Sequence, residues 1–164
     1  MNRDLFERFQ LPAAIIGRAE VNQLYRETED LDNFLRQDNV RAPGEQPKRP
    51  QQSYLLEQFC QANGINLLES EQRRVALDFL KYLKKQAPVL HISFAVGASP
   101  QFVSKITAWL RQNVQPQLLV DVGLAPGIKA GCLVRTTNKV FDFGLKKRFQ
   151  EHRPELLERV RTLG

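Results

Sequence analysis

Two periodicities divide the chain. Up to Pro88 the apolar residues recur three and four positions apart, the spacing of helices with one buried face. From Val89 onward, runs that alternate every second position appear, which is the spacing of strands. In the first part Val21, Leu24, Tyr25, Leu31, Phe34 and Leu35 mark one helix, with Pro12 placed for its first turn and Gly17 weakening its continuity without breaking it. Asp4 can cap a shorter helix ahead of it that runs through Phe9. Ser53 is an N-cap for a helix carrying Leu55, Leu56, Phe59 and Cys60, and Asn63-Gly64 is its stop. Ser70 caps the next helix, whose stripe is Val75, Ala76, Phe79, Leu80 and Leu83 and whose end is set by Pro88. Lys81, Lys84 and Lys85 favour that C-terminal end through the helix dipole.

In the second part, 89–96 predicts a strand with Leu90, Ile92, Phe94 and Val96 on one face and Val89, His91, Ser93 and Ala95 on the other. Ser99 then caps a helix with Pro100 in its first turn, and Phe102, Val103, Ile106, Trp109, Leu110 and Val114 make its expected buried stripe. Trp109 reads as core, with partner contact as the alternative. Leu118, Val120, Val122 and Leu124 alternate in a second strand, with Asp121 and Gly123 facing the other way. Pro126-Gly127 is a turn. Strands at 131–136 and 139–143 come next, joined around Asn138, a residue that tolerates positive φ. Leu145, Phe149, Leu156, Leu157 and Val160 return to helical spacing, and Pro154 inside that run predicts a kink or break near Arg153.

The expected fold is α+β, a helical N-terminal half followed by a small β-α-β-β-β-α C-terminal domain. Its parts are an N-terminal helical segment at 1–37, a Pro-rich linker or long loop at 38–52, a helical pair at 53–88 and the small domain at 89–164. Within the linker, three prolines and one glycine leave Val40 as the one large apolar residue.

Composition narrows the function. The chain has 164 residues, is 42% apolar and 26% charged, and carries a net charge of +6. That charge admits nucleic acid, an anionic membrane surface or an acidic protein partner, and does not choose among them. No run reaches the ~18–20 consecutive apolar residues of a bilayer span, and the opening residues MNRDLFERFQ lack the apolar stretch of a secretory signal. Cys60 and Cys132 read as buried free thiols, a disulfide between them being the alternative. With His91 and His152 they make no zinc spacing, and no serine, cysteine and histidine set suggests a nucleophile. We therefore expect no enzyme activity, no metal, no cofactor and no direct small-molecule ligand.

The second half carries a resemblance. The segment VLHISFAVGASPQFVSKITAWL, led into by Phe79, Leu80 and Leu83, is a strand, a small-residue turn and an amphipathic helix. The segment LLVDVGLAPGIKAGCLVRTTNKVFD is a strand, a turn, an apolar strand, a turn and a strand ending in Asp142, followed by the basic run Lys146-Lys147-Arg148. In this order and spacing, over 75–150 and best over 89–149, the chain resembles the δ subunit of F-type ATP synthase, the oligomycin-sensitivity-conferring protein of mitochondria. It differs in letters: Ala130-Gly131 stands for a glycine pair, Thr137-Asn138 for Gly-Asp, and Phe143-Gly144 for Gly-Ser.

The resemblance implies a non-catalytic connector of the peripheral stalk, holding α subunits through its N-terminal part and a b-type stalk subunit through its C-terminal part. It implies a place on the cytoplasmic side, peripheral to the inner membrane through the complex. Leu145, Lys146, Lys147, Arg148, Phe149 and Leu156 are the candidate partner-binding residues; the apolar members read either as core or as groove for a stalk helix. The basic residues read as a solvated face, an acidic-partner dock or, less favoured, a nucleic-acid contact. Gly127 and Gly131 read as turn or close-packing glycines. Asp142 reads as a strand-end or helix-cap carboxylate, or as a group that orients the partner-binding helix. The alternative function is a small basic α/β domain that binds nucleic acid or protein, with Phe94, Phe141 and Phe143 as its strand aromatics.

Overall fold

A computed structural model describes residues 9–38 and 50–162. The expected helix leading up to Phe9 and most of the expected linker at 38–52 lie outside these residues. The described elements are α1 (Arg18–Asp38), α2 (Tyr54–Asn63), α3 (Ser70–Gln86), β1 (Val89–Phe94), α4 (Pro100–Asn113), β2 (Leu119–Leu124), β3 (Cys132–Arg135), β4 (Val140–Asp142), α5 (Leu145–Glu151) and α6 (Arg153–Thr162). The fold is α+β: three helices come first, then the strands with one helix between β1 and β2, then two closing helices. The described residues form two compact units, one from Met1–Pro88 with Ser104–Leu119 and one from Val89–Val103 with Val120–Gly164.

In the helical unit α1 packs mainly on α3 and also on α2. The stripe Val21, Leu24 and Leu31 is buried as its spacing predicts, and Thr28 completes it by donating its hydroxyl to the Leu24 carbonyl at 2.7 Å. The helix starts later than Pro12. Gly17 takes the capping position, its N–H donating to the Glu20 carboxylate at 2.8 Å, so the acid three residues on closes the first turn. Residues 12–15 instead make a turn, Ile15 N–H to Pro12 carbonyl. Phe59 and Phe79 stack, and Phe9 stacks on Phe79 with centroids 4.3 Å apart.

Ser53 caps α2, accepting from the Leu56 N–H, and Gly64 ends it in the left-handed region at φ 62°. The Ser53 hydroxyl also donates to the Glu27 carboxylate at 2.7 Å, which ties the start of α2 to α1. Ser53→Ala is expected to lower stability by about 1–2 kcal/mol, by loss of the cap and of this bond. Urea unfolding followed by helical circular dichroism checks it, and a loss below about 0.5 kcal/mol, the level of an ordinary surface change, would contradict it. Ser70 is not the cap of α3. It is the first helical residue, Glu69 holds the capping position, and no side chain caps there. Arg73, in that helix, is buried despite its charge. Its Nε donates to Asp32 at 2.7 Å and its Nη1 to the carbonyls of Leu67 and Leu68, which links α3 to α1.

The sheet runs β2-β1-β3-β4. β1 with β3, and β3 with β4, are antiparallel. The bonds Leu119 N to Pro88 O and Ala125 N to Phe94 O keep the same offset in the same direction, so β1 and β2 are parallel and α4 is their crossover. β1 stops at Phe94 rather than at 96, and Val96 is exposed beyond its end.

Two further expectations are corrected. The hairpin at Asn138 uses no left-handed residue, since no described residue other than glycine has positive φ. The Thr136 hydroxyl takes that role, accepting the Lys139 N–H and donating to the Lys139 carbonyl. In α4 Phe102 and Trp109 are exposed, as is Val114 just past its end, and the buried positions are Val103, Thr107 and Arg111. The last helical run breaks at His152, between α5 and α6.

Candidate functional site

The strand registers fix which side chains share a face of the sheet. Ile92 lies opposite Val134, Phe94 opposite Cys132, and Val134 opposite Phe141. With the parallel register of β2, one face collects Val120, Val122, Leu124, Leu90, Ile92, Phe94, Cys132, Val134, Phe141 and, one step past β4, Phe143. No charged residue stands among them. The other face carries His91, Asp121, Ser93, Arg135 and Asp142. There His91 Nδ1 lies 3.6 Å from the Asp121 carboxylate, and Arg135 is the register partner of His91.

The apolar face is filled at its centre and open at its margins. Ile92 and Val120 are buried, and Phe94 meets Phe102 edge-on at 5.9 Å. On the β2 side Val122 is 44% exposed and Leu124 66%; on the β4 side Phe141 is 44% and Phe143 58% exposed. Phe141 and Phe143 stack on one another at 6.4 Å. Lys139 precedes this pair and Lys146 comes after it, both exposed. An uncovered apolar surface with exposed lysines close by in sequence is suited to bind another chain that brings apolar groups and acids.

Of the expected site residues, Asp142, Gly131 and Leu145 gather where β4 leads into α5. Asp142 closes β4, and its carboxylate accepts the Gly144 N–H at 2.7 Å, turning the chain into α5 at Leu145. Gly131 sits at φ +102°, and the ladder continues past β3 through Phe143 N to Cys132 O and Leu145 N to Ala130 O. A Cβ on Gly131 would come within 2.3 Å of the Phe143 carbonyl oxygen, so only glycine fits. Gly127 lies in a turn with nothing within 4 Å of a built Cβ and no left-handed φ, so the backbone there does not demand glycine.

Leu145 and Lys146 are exposed at the start of α5. Lys147, Arg148 and Phe149 fall within α5 and Leu156 within α6, but their side chains lie outside the described residues. The four side chains that open the apolar face, Val122, Leu124, Phe141 and Phe143, were absent from the expected partner-binding set. The signal was present in the alternation of β2 and in the aromatic pair two residues apart.

Other chemistry-bearing groups are engaged elsewhere. Among the described residues no group of three or more His, Cys, Asp and Glu is placed to hold a metal ion. Cys60 and Cys132 are both free, and burial pushes both thiols up, away from the reactive thiolate. In the helical unit a depression of about 260 Å³ is lined by Asp32, Arg36, Ser70, Arg73 and Arg74 with Glu71 and Leu77. Two of its arginines are already paired, Asp32 taking both Arg73 and, at 2.8 Å, Arg36. Among the described residues no helix is long and apolar enough to cross a membrane. Compared with known proteins, the chain matches no family model and no curated sequence.

Proposed function

We propose that this chain is a non-catalytic connector of the F1Fo ATP synthase peripheral stalk, joining the α subunits of the F1 head to a b-type stalk subunit during proton-driven ATP synthesis. The observation that carries the reading is the open apolar margin at Phe141 and Phe143, with the exposed Lys139 and Lys146 on either side of it in sequence. A stalk helix with an apolar stripe and acidic flanks lays that stripe against such a face, the usual mode of helix recognition. The order of elements, strand, crossover helix, strand, Gly131 hairpin, Asp142 and basic helix, adds support through its likeness to the δ subunit. In this reading the helical unit holds the head, the chain carries elastic load through packing alone, and it sits on the cytoplasmic side of the membrane by virtue of the complex.

The test is affinity purification of the tagged chain from native membranes. Recovery of α and b-type subunits is expected. The pair Phe141→Ser and Phe143→Ser is expected to weaken b-type binding by about 30-fold, the effect of losing an interface hot spot, and to leave α recovery unchanged. Recovery of neither subunit would overturn the assignment, and full b-type binding by the double variant would overturn the face. A second reading takes the stacked Phe141–Phe143 pair with its lysines as a platform for unpaired bases. It requires RNA or DNA binding that falls steeply with salt.

A further inference from the structure

Asp32 and Arg36 stand one turn apart on α1, and Ser70, Arg73, Arg74 and Leu77 follow helical spacing along one face of α3. Together they line the depression of about 260 Å³ in the helical unit. Asp32 orients two of its arginines. The carboxylate accepts from Arg73 Nε at 2.7 Å on one oxygen and from Arg36 Nε at 2.8 Å on the other. Arg73 Nη1 goes to the carbonyls of Leu67 and Leu68. That leaves Arg73 Nη2 and both terminal nitrogens of Arg36 with no acceptor among the described residues. Arg73 carries the argument, because its side chain is 6% exposed and buried donors are nearly always paired. Arg74 and the Ser70 hydroxyl have no hydrogen-bond partner among the described residues either. Three arginines stand against the carboxylates of Asp32 and Glu71, a surplus of one positive charge. The start of α3, where no side chain caps, adds the positive end of its dipole.

Guanidinium groups held by their Nε and open at their Nη ends are arranged to grip an anion with several oxygens. A carboxylate offers two oxygens and one negative charge. A phosphate monoester offers three oxygens and close to two charges, enough to hold its place beside Asp32 and Glu71. The depression is also roomier than a phosphate group needs, and the half-buried Leu77 and the arginine stems give it an apolar wall. We propose that this depression is a binding site for a small molecule carrying a phosphate monoester. Arg73 Nη2, Arg36 and Arg74 donate to the phosphate oxygens, Ser70 adds its hydroxyl, and the carrier lies against Leu77. Asp32 is the positioning residue, fixing the two guanidinium groups it pairs. The site belongs wholly to the helical unit, and it does not rest on the connector reading, whose docking face belongs to the other unit.

The test titrates the purified full chain with ribose 5-phosphate, inorganic phosphate and ribose at physiological ionic strength, read by amide chemical shifts and calorimetry. Ribose 5-phosphate is expected to bind and to shift the amides of Ser70, Glu71 and Arg74. Inorganic phosphate is expected to bind about fivefold more weakly, for want of a carrier on the apolar wall, and ribose not at all. Arg74→Met is expected to weaken ribose 5-phosphate about tenfold, the loss of one charge-assisted contact. Lys81→Met removes the same charge from α3 outside the depression and is expected to change the affinity less than twofold. Both side chains are exposed, so neither substitution disturbs the core. Equal weakening by the two variants would reduce the binding to general attraction by a basic chain and overturn the site. So would shifts at residues away from the depression, or no binding of ribose 5-phosphate. Equal affinity for inorganic phosphate would overturn the carrier. A short phosphoserine peptide that bound more tightly than ribose 5-phosphate would assign the site to a phosphorylated protein and overturn the small molecule. The chain is tested alone, so failure here leaves the connector reading standing, and failure to recover stalk subunits leaves this site standing.

Discussion

Arg111→Met is expected to destabilise the helical unit by about 3 kcal/mol. Arg111 is 9% exposed, and its guanidinium makes no ion pair with a described carboxylate. Its partners are the carbonyls of Leu11, Pro12, Ile15 and Leu118. Two effects oppose each other. Burying the charge costs stability, and it pushes the guanidinium down to about 10, still charged at neutral pH. A base depressed in this way costs stability below its folded value, and the cost begins to lift only as pH rises past about 10. Methionine removes that cost and keeps most of the apolar stem. It also strands four acceptors, those of Ile15 and Leu118 in the interior, at about 1–3 kcal/mol for each fully buried group. The stranded carbonyls outweigh the relieved charge because methionine supplies no donor and the site is closed by the Pro12–Ile15 turn. Urea unfolding by circular dichroism, with amide exchange at Ile15, measures the balance. A methionine variant as stable as the original would show that burying the charge costs as much as stranding the carbonyls.

The same arginine marks where the sequence stops being legible. α1, α2 and α3 could be read because, Thr28 and Arg73 apart, their buried residues are apolar and evenly spaced, and because Ser53 and Gly64 carry their own cap chemistry. The start of α1 was also readable, since Glu20 stands three residues after Gly17, but Pro12 offered a stronger-looking competitor. α4 could not be oriented from its own residues. Phe102, Trp109 and Val114 look buried by hydrophobicity, and that rule runs one way only: apolar residues are commonly left outside. What turns Arg111 inward is a set of carbonyls about a hundred positions earlier, a relation with no local trace. The apolar face shows the same division. Alternation placed Val122 and Leu124 on one side of their strand. Whether anything covers that side depends on which elements pack on the sheet, so the openness of Val122, Leu124, Phe141 and Phe143 emerges only from the folded chain.

Gly131→Ala is expected to cost about 4 kcal/mol and to unpair the end of the β3–β4 ladder, while Gly127→Ala stays within about 0.5 kcal/mol of the original. Both glycines look alike in sequence, each beside a turn. Gly127 has open space around it and an ordinary φ, so a methyl group meets nothing. At Gly131 two penalties combine. The φ of +102° strains any L side chain, at about 1–3 kcal/mol. The new carbon would also overlap the Phe143 carbonyl oxygen and crowd the Gly144 Cα, at 2.3 and 2.9 Å. Neither atom can yield cheaply, because Phe143 N is bonded to Cys132 O and Gly144 N to the Asp142 carboxylate. Relief therefore requires breaking the bonds that carry the chain from β4 into α5, and with them the placement of Phe143 on the apolar face. The effect is read as lost amide protection at Phe143 and Leu145, and as weakened partner binding with α1, α2 and α3 still protected. Preserved protection at both amides in the Gly131→Ala chain would mean that the crossing of residues 130–132 with 143–145 is looser than its bonds imply, and the face would then not be set by this junction.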